Sequence, residues 1–287
     1  MREINFFLPG FYENFRFITF LADMMKENPE LFYENTRIGA VYGCFPGNIW
    51  NGGRVILGSA TKKEIEYAVA EYNKRDIALR YTFTNPLIER VHLMDTYCNL
   101  CMELGDNGKK EVLVNSPLLE EFIRKMYPNY SIISSTTKCL NNFEAIKQEL
   151  EKDYSLVVLD SAMNNKDELF EMEHREKIEL IVNHYCVDNC PRRKEHYETI
   201  GRCQLEFSEP DFEDCKNINR DFYQIMENNS FIKTEDLYGR YYDAGFCNFK
   251  IDGRGFNKYK VVESFVYFLV KPEYRDRVRF QILRKTM

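Results

Sequence analysis

The feature that most constrains this chain is a regular alternation: eight short runs rich in β-branched or aromatic residues, separated by helical stretches. The runs are INFFLP (4–9), IGAVYG (38–43), IALRYTFT (77–84), EVLVNS (111–116), YSIISST (130–136), SLVVLD (155–160), IELIVNHY (178–185) and FCNFKID (246–252). Among the segments between them are NFRFITFLADMMKEN, TKKEIEYAVAEYNKR, PLLEEFIRKMY and NFEAIKQELEK, several opened by a Thr or Asn cap or by Pro in the first turn. After the eighth run, KYKVVESFVYFLVKPEYRDRVRFQILRK predicts a closing helix pair. Eight β/α repeats predict an α/β fold of the (β/α)8 type, a closed parallel TIM barrel with right-handed crossovers. An open doubly wound sheet is the competing topology, but no Gly-rich dinucleotide fingerprint follows the first strand.

No low-complexity tract or charge block divides the sequence, so residues 1–287 are expected to form one domain. The stretch 201–244, between strands seven and eight, is long and irregular and predicts an insertion near the active face. A formal net charge of -6 disfavours general attraction to nucleic acid or to an anionic membrane. The longest apolar run, SFVYFLV (264–270), falls far short of the ~20 residues that cross a bilayer. The start, MREINFFLPGF, lacks the pattern of an export signal, and a cytoplasmic location is expected.

In a barrel of this kind chemistry sits at the C-terminal ends of the strands. Three loops occupy such ends: YGCFPGNIWNGGR after strand two, NHYCVDNCPRRKEHY after strand seven and KIDGRGFNKYK after strand eight. Alternation along strand eight puts Cys247, Phe249 and Ile251 toward the helices and Asn248, Lys250 and Asp252 toward the lumen. By the same period Arg80, Thr82, Thr84, Asn115, Glu179 and Asn183 point inward. A lumen this polar suits a small-molecule substrate; a salt-bridge layer of Arg80, Glu179 and Lys250 is the competing reading. Lys250, His196 and Glu179 form the expected catalytic set. Arg80, Asn183, Arg192, Arg193 and Arg254 form the expected substrate-binding set, with Arg192, Arg193 and Lys194 suited to a carboxylate or phosphate.

Nine cysteines in a reducing compartment are buried hydrophobes, reactive thiols or metal ligands. Cys186 and Cys190, with three residues between them, have a spacing that lets two thiolates reach one metal, and a site needs further ligands. Cys44 is the best distant candidate and Cys203 the best near one; Cys215 is open, and Cys247 belongs to the core by its register. Thiolate-rich ligation suits an iron–sulfur cluster or zinc, which spacing does not separate. The alternative is a pair of buried thiols. Cys98 and Cys101 form a CxxC pair without a thioredoxin-like context and are expected in the core, and Cys139 is expected to be inert. His184 flanks the cysteine loop on one side and His196 on the other, each a possible base or ligand but more often structural. His92 and His174 lack supporting neighbours.

IELIVNHYCVDNCPRRKEHY, YDAGFCNFKIDGR, the final YKVVESFVYFLV and RIGAVYGCFPGNIWNGGR together resemble the collagenase-like peptidase family, peptidase family U32, and its relatives. The resemblance implies a barrel whose cysteines often hold a [4Fe–4S] cluster, with several members supporting oxygen-independent hydroxylation of RNA bases or of a quinone precursor. It matches Cys186 and Cys190 to the cysteine loop, Cys44 to a cysteine that smaller relatives carry after strand two, and Lys250 and Arg254 to the last-strand motif. The family's usual E.F..G..C stretch is absent, which counts against peptidase activity and against a cluster of the usual arrangement. The expectation is therefore a cysteine-ligated iron–sulfur enzyme, an oxidoreductase of the hydroxylase type. Its substrate would be a small anionic or aromatic molecule, and an electron-donor protein its possible partner. A metal-free or zinc-binding barrel acting as a peptidase, hydrolase or ligand-binding protein is the alternative.

Overall fold

A computed structural model of the chain describes residues 2–212, 215 and 220–286. Its eight strands, all parallel, close into a barrel in sequence order. They are β1 Ile4–Pro9, β2 Thr36–Gly43, β3 Ala78–Phe83, β4 Lys110–Val114, β5 Ser131–Ser134, β6 Leu156–Val158, β7 Ile178–Ile181 and β8 Asn248–Lys250. Closure occurs where Phe7 of β1 pairs with Lys250 of β8. Each strand overlaps the run that predicted it. The later strands are shorter than expected, and Asn183, His184 and Asp252 lie just beyond their C-terminal ends.

The long helices form where the sequence supplies both a start signal and an apolar stripe. They are α1 Phe15–Glu27, α2 Lys62–Lys74, α3 Thr96–Gly105, α4 Pro117–Met126 and α5 Phe143–Leu150. Thr61 and Glu64 build a reciprocal capping box at α2: Thr61 N–H donates to Glu64 Oε2 at 2.7 Å and Glu64 N–H to Thr61 Oγ1 at 3.3 Å. After the single-turn α6 Asp167–Phe170 comes α7 Arg193–Glu206. Residues 201–206 of the expected insertion are thus the last turns of a helix, which ends at Phe207 in the left-handed conformation. Three short helices follow, α8 Phe222–Ile225, α9 Thr234–Asp236 and α10 Tyr242–Ala244, with a π-helical turn at Leu237–Tyr241. The closing pair is α11 Lys258–Leu269 and α12 Arg275–Thr286. No helix among the described residues is long and apolar enough to cross a membrane.

Burial divides the apolar residues into two sets, as the strand period requires. The larger fills the layer between barrel and helices and includes Phe6, Leu8, Tyr81, Phe83, Phe249 and Ile251. The smaller lines the lumen: Phe7, Ala40, Tyr42, Ala78, Leu113, Ile133, Val158 and Ile181. Phe249 outside and Lys250 inside follow the alternation expected for β8.

Candidate active site at the C-terminal mouth

Within the lumen, the inward polar residues of β3, β4, β7 and β8 meet in an ion network. Arg80 donates from Nε to Glu111 and from Nη1 to Glu179, both at 2.6 Å, and Lys250 Nζ lies 3.5 Å from the other oxygen of Glu179. Arg80 and Glu179 are fully buried. The Arg80 guanidinium stands 4.0 Å above the Phe7 ring, and Lys250 Nζ stands 4.0 Å above Tyr42. Burial pushes the Lys250 ammonium down to about 8, against the pull of Glu179 and with the help of Arg80. Three of the expected site residues, Arg80, Glu179 and Lys250, thus form the salt-bridge layer that competed with the small-molecule reading.

Above this layer, the first residues past the strands converge. Asn183 accepts from Asp252 N–H at 2.7 Å and donates to Asp252 O at 3.0 Å and Ser264 Oγ at 3.1 Å. Those bonds pin the end of β7 to the end of β8, so Asn183 positions the mouth. Arg254 is buried and turns back over the barrel. It donates to Asn51 Oδ1 at 2.8 Å, to Gly52 O at 2.6 Å and to Thr82 Oγ1. Its donors anchor the β2–α2 loop. Gly52 lets the loop lie against the chain just past β3, because a Cβ there would meet the Thr84 backbone at 2.5 Å.

The anchored loop brings Arg54 to Asp252, with Nη2 3.9 Å from Oδ2, and His184 approaches the same oxygen through Nδ1 at 3.5 Å. Burial alone would raise Asp252. The His184 imidazole beside it and the charge of Arg54 outweigh it and hold the carboxyl well below the usual range. His184 Nε2, on the far side of the ring, is buried and has no hydrogen-bond partner among the described residues. His196, from α7, stacks on Phe212 with ring centroids 4.3 Å apart. Its imidazole is pushed down to about 4, first by burial and then by the positive Arg54 and Arg193 nearby. Arg193 reaches Asp160, two residues past β6, through Nη1, and its Nη2 is buried without a partner among the described residues. Tyr197, beside Arg193 and Asp160, is buried, and its phenol is pushed up by that burial.

The mouth therefore gathers His184, Asp252, Arg54, Arg193, Asp160 and His196 from the ends of β2, β6, β7 and β8 and from α7. Of the expected residues, His196 and Arg193 belong to it and Lys250 lies beneath. Arg192 is exposed and pairs with Glu195 at 2.8 Å. The pairing of His184 with Asp252 and the parts of Arg54, Asp160 and Tyr197 were not foreseen. One signal for Asp160 was available: it is the last residue of the sixth predicted run, at the catalytic face.

The cysteines divide. Cys186, half-buried, has Cys190 and Cys215 as electrostatic neighbours, and its thiol is raised by burial first and then by Cys190, against Arg193. Cys44 is fully buried, with Arg254, Glu13 and Cys101 around it, and burial pushes its thiol well up. Cys203 is half-buried on α7. The four expected ligands Cys44, Cys186, Cys190 and Cys203 do not converge: among the described residues, no three His, Cys, Asp or Glu side chains are grouped so as to hold a metal ion. A four-iron cluster held by the protein takes four thiolates, and this donor set, as folded, does not fit one. Cys98 and Cys101 are buried on α3, where Asn48 Nδ2 lies 3.4 Å from Cys101 Sγ, in line with a core role.

No family model matches the chain, and no curated protein matches it in sequence. Among solved structures, that of the U32 peptidase Mk0906 is similar, with a TM-score of 0.56 and 15% identity over 89% of this chain and 94% of the other. At that identity the likeness is one of fold, and the barrel is U32-like.

Proposed function

We propose that this U32-like barrel is an enzyme that carries out acid–base chemistry on a small anionic substrate at its C-terminal mouth. One observation carries the proposal: the His184 imidazole is tied through Nδ1 to Asp252, while its buried Nε2 has no partner among the described residues. A carboxylate on one ring nitrogen fixes the tautomer and ring orientation and leaves the other nitrogen to take a proton from substrate. Arg193, with Nη2 buried and unpartnered, supplies a donor for the anionic group. His196, held neutral beside them, adds a second group that moves no charge near pH 7.

Ligand-detected NMR in heavy water, with a panel of small carboxylates and phosphate esters, tests this reading. At least one compound should bind and change chemically; Arg193→Gln should weaken binding, and His184→Gln should abolish the change while leaving binding within a few-fold. A wild-type protein that binds none of them overturns the proposal.

The second reading, a thiolate-bound iron–sulfur cluster or zinc supporting redox modification of the same kind of substrate, rests on the nearness of Cys186, Cys190 and Cys215. It requires a thiol arrangement other than the one described above. Anaerobic purification followed by iron, zinc and sulfide analysis decides it: a metal-free protein removes it, and stoichiometric metal lost in Cys186→Ser supports it.

A further inference from the structure

The opposite, N-terminal end of the barrel carries a cavity. It measures about 400 Å³ and enters where the strands begin, lined by the first residues of β3, β4, β5, β6 and β8 and by early residues of β1 and β2. Barrels of this fold normally fill that end with layered side chains. Here Gly39 and Ala78 contribute almost no volume on two adjacent strands. A Cβ at Gly39 would lie 3.1 Å from both Asn5 and Phe7, so glycine keeps the wall back.

Arg37, Lys109 and Lys110 line the cavity against one carboxylate, Glu111, which is already bound by Arg80 at 2.6 Å. Each cation has a carboxylate neighbour: Glu3 at 3.3 Å from Arg37, Asp76 at 2.6 Å from Lys109 and Asp106 at 2.7 Å from Lys110. Glu3 and Asp76 are largely exposed, and exposed pairs of that kind are weak, so an entering anion exchanges with them at little cost. The walls add neutral polar groups: Asn5, Asn129, Asn248 and Ser131. Asn5 and Asn248 hold each other at 3.2 Å, and Asn248 also donates to Glu176 O at 2.7 Å, which fixes the wall in place.

We infer that this N-terminal cavity is a second ligand site, and that it takes the phosphate monoester of a small polyol. Such an ester carries about -1.5 to -2 charges near neutral pH, enough to take Arg37 and Lys109 over from the exposed carboxylates Glu3 and Asp76, and its hydroxyls suit the amides and hydroxyl of the walls. The site is independent of the acid–base reading at the other mouth, being built from different residues at the other end of the strands.

Isothermal titration with ribose 5-phosphate, with ribose and succinate as comparisons, tests the inference. The phosphate ester should bind saturably and at least tenfold more tightly than ribose or succinate. Lys109→Gln and Lys110→Gln, singly and together, should weaken it, the double variant by at least tenfold, with the thermal melt unchanged. His184→Gln should leave the affinity within twofold. No saturable binding, binding indifferent to both lysine variants, or succinate binding as tightly as the ester would overturn it.

Discussion

His184 Nδ1 and Asp252 Oδ2 stand 3.5 Å apart and join the residue chain beyond β7 to the turn that follows β8. Because Arg54 approaches the same oxygen, one carboxylate orients an imidazole and holds the β2–α2 loop over the barrel. Asp252→Asn should therefore cost about 1–3 kcal/mol at neutral pH, the range for leaving hydrogen-bonded partners short. The sign with pH follows from its depressed ionisation. A carboxyl lower in the folded than in the unfolded chain, where Asp titrates near about 3.9, stabilises above that value, and the contribution fades as pH falls through the folded value. Urea unfolding should show the gap between wild type and Asp252→Asn constant near neutrality and closing in acid.

His196 predicts a slope in a different window. Its imidazole is held at about 4, mainly by burial, against roughly 6.5 in an unfolded chain. Between those values the unfolded state binds the proton and the folded state does not, so stability is full above the upper value and falls as pH drops toward the lower. His196→Phe keeps an aromatic ring available to stack on Phe212 and removes the titration. Melts between pH 7 and 4 should lose part of their slope in that variant.

Arg80 connects two acids across the lumen, so Arg80→Met leaves Glu179 buried without its strongest partner. Removing one member of a buried pair costs about 3–5 kcal/mol, whereas replacing the whole pair with apolar residues is often neutral. Arg80→Met should approach that cost in denaturant midpoint, and Arg80→Met with Glu179→Leu should recover at least half of it.

Gly201 on α7 faces Asn85 and Pro86: a Cβ there would lie 2.5 Å from Asn85 Oδ1 and 3.1 Å from Pro86 Cδ. Alanine gains about 1 kcal/mol of helix propensity, while overpacking costs about 1–3 kcal/mol. Gly201→Ala should be net destabilising and should shift the helix that carries Arg193 and His196. Both a lower melting temperature and weaker anion binding at the mouth are expected.

The barrel was legible because its signals are local. Period-two alternation places Phe249 and Ile251 outside and Asn248 and Lys250 inside whatever the rest of the chain does, and a cap such as Thr61 needs only its own helix. The mouth was legible as a place, since strand ends can be read, but its pairings were not. Arg80 and Glu179 lie 99 positions apart and His184 and Asp252 lie 68 apart, so which acid each base meets depends on barrel closure. Arg254 shows the difficulty most plainly. Its motif suggested a substrate anchor, yet its donors go to Asn51, Gly52 and Thr82, because the β2–α2 loop presents acceptors there. Cysteine spacing likewise identified the pair Cys186 and Cys190, while the approach of Cys215 to Cys186 is not encoded in spacing.

The chain contains four histidines, two at the mouth and two elsewhere, so its imidazoles report directly on where an anion acts. Side-chain NMR of histidine-labelled protein titrated with malonate should move the His184 and His196 signals together and saturably, with His92 stationary and the response weakened in Arg193→Gln. Signals of His184 and His196 that stay fixed throughout the small-anion panel would contradict a substrate site at the C-terminal mouth.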